Sequence, residues 1–156
     1  MFKLLCNLGF VACLVGCSNG PQANYGKLGL VEVSGTVTLD GTPVEGAGVF
    51  FYNPDETYSF GVTDASGGYK MMLNSEKSGI IPGEKRVEIF TSRNPLGDIS
   101  EEGEGEEADP DAKPAGKTEK IPACYNTASE LRITIANSDS NLDFELKSDC
   151  STTVAS

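Results

Sequence analysis

Histidine is absent from all 156 residues, which removes the commonest general base and the commonest metal ligand together. No His-dependent triad and no HExxH zinc site can be assembled from the remaining residue types. Carboxylates, by contrast, are abundant, with 23 Asp and Glu against 12 Lys and Arg. Residues 101–107 read EEGEGEE, and Asp109 and Asp111 follow. Hard cations take carboxylate oxygens, but affinity needs ligands held in fixed geometry, and a Gly/Glu tract supplies none. The tract therefore reads as a solvated polyanion, with weak divalent cation association as the alternative. Asn137, Asp139, Asn141 and Asp143 alternate like the opening of a calcium loop. Leu142 stands where that loop needs Gly and Ser148 where it needs Glu, so a hairpin turn explains the pattern better. Asp64-Ala65-Ser66-Gly67 is likewise ordinary turn chemistry. Ser, Lys and Asp are plentiful, yet no nucleophile–base spacing stands out. The expectation is no catalytic residue, no metal and no cofactor. A net charge of −11 also argues against nucleic acid as a partner, since phosphate binding needs basic surface.

Cysteine carries the remaining chemistry. Residues 1–16 read MFKLLCNLGFVACLVG: one Lys, an apolar run, then small residues. The apolar part is about twelve residues, and a bilayer-spanning helix needs about twenty, so the pattern is that of a signal peptide. It ends in Leu14-Val15-Gly16-Cys17, which resembles a bacterial lipobox, implying cleavage before Cys17 and acylation of its thiol. An ordinary signal peptide with an incidental cysteine is the alternative. Ser18 follows in place of Asp, which resembles outer-membrane sorting. Residues 17–30 then form the lipidated Cys and a flexible polar tether. Cys6 and Cys13 leave with the leader, so Cys124 and Cys150 remain as an even pair in an oxidising compartment. A disulfide closing that loop stabilises by roughly 3–4 kcal/mol in the chain-entropy model; two free thiols are the alternative.

These groups must be positioned by strands. Val31, Val33, Val37 and Leu39 share one parity with Gly35, and Glu32, Ser34, Thr36 and Thr38 take the other; period-two alternation marks a strand with one buried face. Asp40-Gly41 closes the run as a type I′ turn. Ala47, Val49 and Phe51 resume it, and Tyr69, Met71 and Leu73 follow the Ser66-Gly67-Gly68 turn. Residues 74–83 read as a loop. Residues 85–91 read as a strand with Val87 and Ile89 inward and Arg86, Glu88 and Phe90 outward. Residues 92–120, roughly thirty with few apolar side chains, read as a disordered acidic insertion that adds nothing to the core. Leu131, Ile133 and Ile135, then Leu142, Phe144 and Leu146, give two last strands, and residues 149–156 a frayed tail around Cys150. About seven strands, no helix and no repeat predict an all-β sandwich over residues 31–148. Phe50 and Tyr52 take the outward parity, like Phe90. In one sheet the three would form either an exposed interaction patch or a cross-strand aromatic cluster partly covered by the acidic tract.

The series SGTVTLDGTPVEGAGVFFYNP, GVTDASGGYKM and IPGEKRVEIF, with Ile121-Pro122-Ala123-Cys124-Tyr125-Asn126 later, resembles the carboxypeptidase regulatory-like (transthyretin-like) domain of bacterial lipoproteins. The resemblance covers residues 31–147, interrupted in the middle. It implies a single Greek-key β-sandwich of prealbumin type, with no catalysis of its own. Members usually carry Thr or another polar residue at the positions of Phe50 and Phe90, so this chain departs toward aromatics there. The expected role is a structural or binding module in the bacterial cell envelope, lipid-anchored in the outer membrane through Cys17. The alternatives are a subunit recognising carbohydrate or an envelope protein, and an accessory to an enzyme.

Overall fold

The computed structural model describes residues 25–93, 95, 117–139 and 141–155. The first alternating run becomes β1 (Ser34–Leu39), which turns at Asp40-Gly41 into β2 (Thr42–Pro43). Both turn residues have positive φ, 50° and 81°, and Leu39 pairs with Thr42 across a two-residue loop, as a type I′ turn requires. β3 (Gly48–Tyr52), β4 (Tyr58–Val62), β5 (Gly68–Lys70) and β6 (Gly83–Phe90) follow. After the insertion come a 3-10 turn at Ala123–Tyr125, β7 (Arg132–Ile135), β8 (Asp143–Leu146) and β9 (Thr152–Ala155). One sheet runs β2-β1-β8-β9, with β5 also on β1; the other runs β4-β3-β6-β7. The β1–β8 pairing is parallel and the others are antiparallel. Among the described residues there is no α-helix, and no helix is long and apolar enough to cross a membrane.

The two sheets share one core. Val33 and Val37 from the β1 run, Val49 and Phe51 from β3, Val87 and Ile89 from β6, and Phe144 and Leu146 from β8 are all buried there. Phe51 and Phe144 meet edge-on across the sheets at 6.1 Å, the geometry the ring quadrupole prefers. Tyr69 is also inside. Its hydroxyl donates to the Leu142 carbonyl at 2.7 Å, and burial, with Asp143 and Asp139 nearby, pushes its pKa up. Gly35 is dictated by that crossing, since a Cβ there would lie 1.9 Å from the Leu142 oxygen.

Three sequence expectations change. There are nine strands among the described residues, two of them of only two and three residues. Residues 74–83 are tied in, with Ile80 fully buried and exchanging two backbone hydrogen bonds with Val31. The tail is not frayed, because residues 152–155 pair with β8 over four positions. An edge strand open to water needs a backbone ladder and β-branched residues, not an apolar stripe, so Thr152-Thr153-Val154 shows no alternation to read.

Lys85 shares its parity with Val87 and Ile89 and is only 2% exposed. Its ammonium donates one 3.4 Å bond, to the Glu84 carbonyl. Burial lowers its pKa and the Asp55 charge only partly opposes that, so the folded state disfavours the protonated form present at neutral pH. Lys85→Met should therefore raise the melting temperature, by the equivalent of about 1 kcal/mol. The gain should shrink as pH rises toward lysine's ordinary 10.5. Calorimetry of both chains across that pH range checks it.

Candidate functional site

Because Val49 and Phe51 point into the core, Phe50 and Tyr52 point to the opposite face of the same sheet. The register places Phe60 and Tyr58 of β4 beside them on one side and Glu88 and Arg86 of β6 on the other, with Phe90 opposite Gly48. The rings converge: Phe50 lies 6.0 Å from Phe90 and 5.5 Å from Tyr58, both edge-on, and Tyr52 lies 5.4 Å from Tyr58. The sequence allowed an exposed patch here, and burial overturns it. Phe50 is 0% exposed, and Tyr52 and Phe90 are 9% each.

Arginine contributes to the cover. The Arg93 guanidinium sits 4.5 Å above the Phe50 ring and 5.6 Å from Phe90, and donates to the Tyr52 hydroxyl at 3.1 Å. Arg86 lies 4.5 Å over the Tyr52 ring and is held by Glu56 at 2.8 Å and by Glu88. A guanidinium is drawn to the negative face of an aromatic ring and keeps its donors for oxygen. Gly48 leaves room for this strap: a Cβ there would lie 2.6 Å from the Arg93 carbonyl oxygen and 2.9 Å from Pro95. Tyr58, 41% exposed, is the ring left open. It borders a shallow cleft of about 350 Å³ with Phe60, Leu73, Asn74, Ser75 and Pro95.

The strap is rooted by one carboxylate. Glu119 accepts from the backbone N–H and hydroxyl of Thr91, from the N–H and hydroxyl of Ser92, and from the Ile121 N–H, at 2.6–3.1 Å. Partial burial alone would raise its pKa; the Ser92, Thr91 and Ile121 donors outweigh that and hold it at about 2. Lys120 N–H adds a bond to the Thr91 hydroxyl at 2.7 Å, and Ile121 is a core residue, 3% exposed. The ends of the acidic insertion thus pack on the sandwich, contrary to the expectation that residues 92–120 stay apart from it. Residues 94 and 96–116 lie outside the described residues, and with them the acidic run and the weak cation association weighed for it. Next to the clamp a broad groove of about 1010 Å³ opens between Pro43, Val44, Thr91, Lys117 and Lys120.

Cys17 and residues 1–16, which the sequence reads as a signal peptide, also lie outside the described residues. Cys124 and Cys150 are joined by a disulfide, with Cα atoms 6.0 Å apart. Asp64 accepts from Ser66 and Gly68, Asp40 from Ser148, Asp149 from Ser151 and Asp55 from Thr57. Each of these four has its pKa lowered by those hydrogen bonds, so each stays ionised and is a poor proton acceptor near neutrality. Among the described residues no three His, Cys, Asp or Glu side chains converge. Sequence reasoning missed Tyr58 and Phe60, whose shared parity in β4 was visible. It also missed Arg93 and Glu119, for which no local pattern exists. No protein-family model, curated protein or solved structure matches the chain.

Two measurements follow from this geometry. Glu119→Gln keeps the shape but loses the charge that five donor groups surround. It should cost about 1–3 kcal/mol at neutral pH, discounted for the part of the group that stays in water. The folded pKa lies below the ordinary 4.5, so the wild-type advantage is full above that value and fades as pH falls toward 2. Denaturant midpoints of the two chains from about pH 7 to about pH 2.5 test the sign. Phe50→Thr should lower stability by about 3 kcal/mol or more, as truncation of a fully buried ring does. Phe90→Thr should cost less, which thermal melts of the two variants would show.

Proposed function

We propose that the chain is a lipid-anchored, extracytoplasmic β-sandwich of the transthyretin-like, carboxypeptidase regulatory-like kind, with Greek-key connections, serving as a non-catalytic structural or binding module. The observation that carries this reading is the use of its carboxylates. Glu119, Asp40, Asp55, Asp64 and Asp149 each hold a turn or loop end and have a lowered pKa, which suits architecture better than proton transfer. The lipobox-like Leu14-Val15-Gly16-Cys17 supports the anchor. Residues 18–24 span at most about 25 Å, so an acylated Cys17 keeps the sandwich close to the membrane face.

A second reading, recognition of a carbohydrate or an envelope protein, is favoured by Tyr58. Its open ring is braced by Phe50 and Tyr52 beside a cleft whose described lining carries no charge, on a chain of net charge −11. The same module could serve as the accessory to an enzyme. Glycan arrays and cross-linking in intact envelopes, each repeated with Tyr58→Ala, distinguish recognition from a purely structural role. For the anchor, Cys17→Ala should release the domain from membranes or leave an unprocessed precursor. Intact-mass analysis showing residue 17 unmodified in the wild type would remove the localisation argument.

A further inference from the structure

The disulfide sits where the last strand leaves the body of the fold. Cys150 is exposed and Cys124 half-buried. Both border an open cleft of about 320 Å³ with Tyr125, Ala128, Glu130, Leu131 and Thr152, which gives a thiolate room to approach past a single carboxylate. Beyond Cys150 lies β9, held to β8 by four residue pairs, Asp143↔Ala155 to Leu146↔Thr152. Thr152, Thr153 and Val154 all keep solvent contact, Val154 at 36% exposure, so β9 brings little buried area of its own. Segments with few buried contacts open locally at a fraction of the global free energy.

The chain just before it is fixed differently. The buried Tyr125 hydroxyl accepts from the Lys147 N–H at 3.1 Å and contacts the Lys147 carbonyl at 3.0 Å. Ser148 donates its N–H and its hydroxyl to Asp40 at the β1–β2 turn. Neither tie involves β9. Residues 149–155 are held by that ladder, by the Cys150 N–H on the Lys147 carbonyl at 2.9 Å, by a bond from the single phenolic hydrogen of Tyr125 to the Ser151 carbonyl at 2.5 Å, which the Lys147 carbonyl competes for, and by the disulfide. Cys150 itself has φ of 69°, a left-handed conformation that side chains disfavour, so opening the loop relieves a local strain.

We propose that Cys124–Cys150 is a redox latch on the last strand: a dithiol reduces it in the folded protein, residues 149–155 lift away with Ser148 as the hinge, and β8 becomes an open strand edge. One thiolate of the dithiol attacks the Cys150 sulfur, forming a mixed disulfide and releasing the Cys124 thiolate, which takes up a proton. The second thiolate then displaces Cys150 and leaves as the oxidised dithiol, so two electrons pass to the protein and two thiols result. The released edge carries Phe144 and Leu146, which β9 flanks in the oxidised form. An unpaired strand edge beside apolar side chains accepts an added strand.

The test is peptide-resolved amide exchange on the full chain, with and without dithiothreitol, alongside alkylation mapping of Cys124 and Cys150. After reduction, exchange in residues 152–155 and at the β8 amides that pair with them should accelerate by about tenfold or more. Amides of β1, β3 and β6 should keep their protection. The double variant Cys124→Ser with Cys150→Ser should show the same pattern without any dithiol. Three results overturn the latch: β9 still protected once both thiols are alkylated, protection lost throughout the sandwich in the reduced chain or the double variant, or resistance to dithiothreitol while the protein stays folded.

Discussion

All five residues of Gly48–Tyr52 are buried, so β3 must be covered on both faces, and much of the remaining architecture answers that demand. An antiparallel sheet usually leaves one face to water. Here the inner face meets the shared core through Val49 and Phe51, and the outer face presents Phe50 and Tyr52. Covering an outer aromatic face needs a segment that lies across it without bringing unpaired polar groups. Arg93 meets that condition because its guanidinium can stack on Phe50 and still bond the Tyr52 hydroxyl. The route of Arg93 is fixed in turn by Thr91 and Ser92 on Glu119. One carboxylate at the end of the insertion therefore helps to determine the packing of a strand in the middle of the sheet.

Charge in this chain is largely local architecture. Acidic side chains outnumber basic ones almost two to one, yet those resolved in the fold repeatedly accept from donors in their own turn. Short-range donors cost little entropy to organise, since the turn residues lie two to four positions away. Glu119 and Asp40 differ, because the Thr91 and Ser92 donors of Glu119 come from 27 or 28 residues upstream and the Ser148 donors of Asp40 from 108 residues downstream. These two tie distant segments together, where Asp55, Asp64 and Asp149 shape a corner. Basic residues are scarcer, and two of the arginines cover rings where ordinary sandwiches would expose polar side chains.

Alternation made most of the fold legible. Val33, Val37, Val49, Phe51, Val87, Ile89, Phe144 and Leu146 all lie inside, as their parity required, and Asp40-Gly41 turned with two positive φ angles. Parity also placed Phe50, Tyr52 and Phe90 on one face. It could not show that they would be covered, because Arg93 lies 41 residues from Tyr52 in the chain and its neighbours are polar. Lys85 had the core parity, but a charged residue at such a position carries no apolar signal. β9 was unreadable because a water-facing edge strand needs no apolar stripe. Glu119 was unreadable because a clamp is defined by donors that only the fold assembles.

The parallel pairing of β1 with β8 also constrains the order in which the molecule can be completed. Val37 takes Phe144 as its neighbour, and Thr36 donates to Asp143 across 107 positions. Among the described strands a ribosome makes β1 before the rest, and β2 and β5 can join it early, but its other flank stays open until β8, 107 positions on from Thr36 at Asp143, has been made. Contacts of such long range raise contact order and slow folding, and the unfilled flank leaves Val33 and Val37 wet in the meantime. β1 is thus begun early and finished late, and until β8 arrives the nascent chain can be no more than an unclosed half-sandwich.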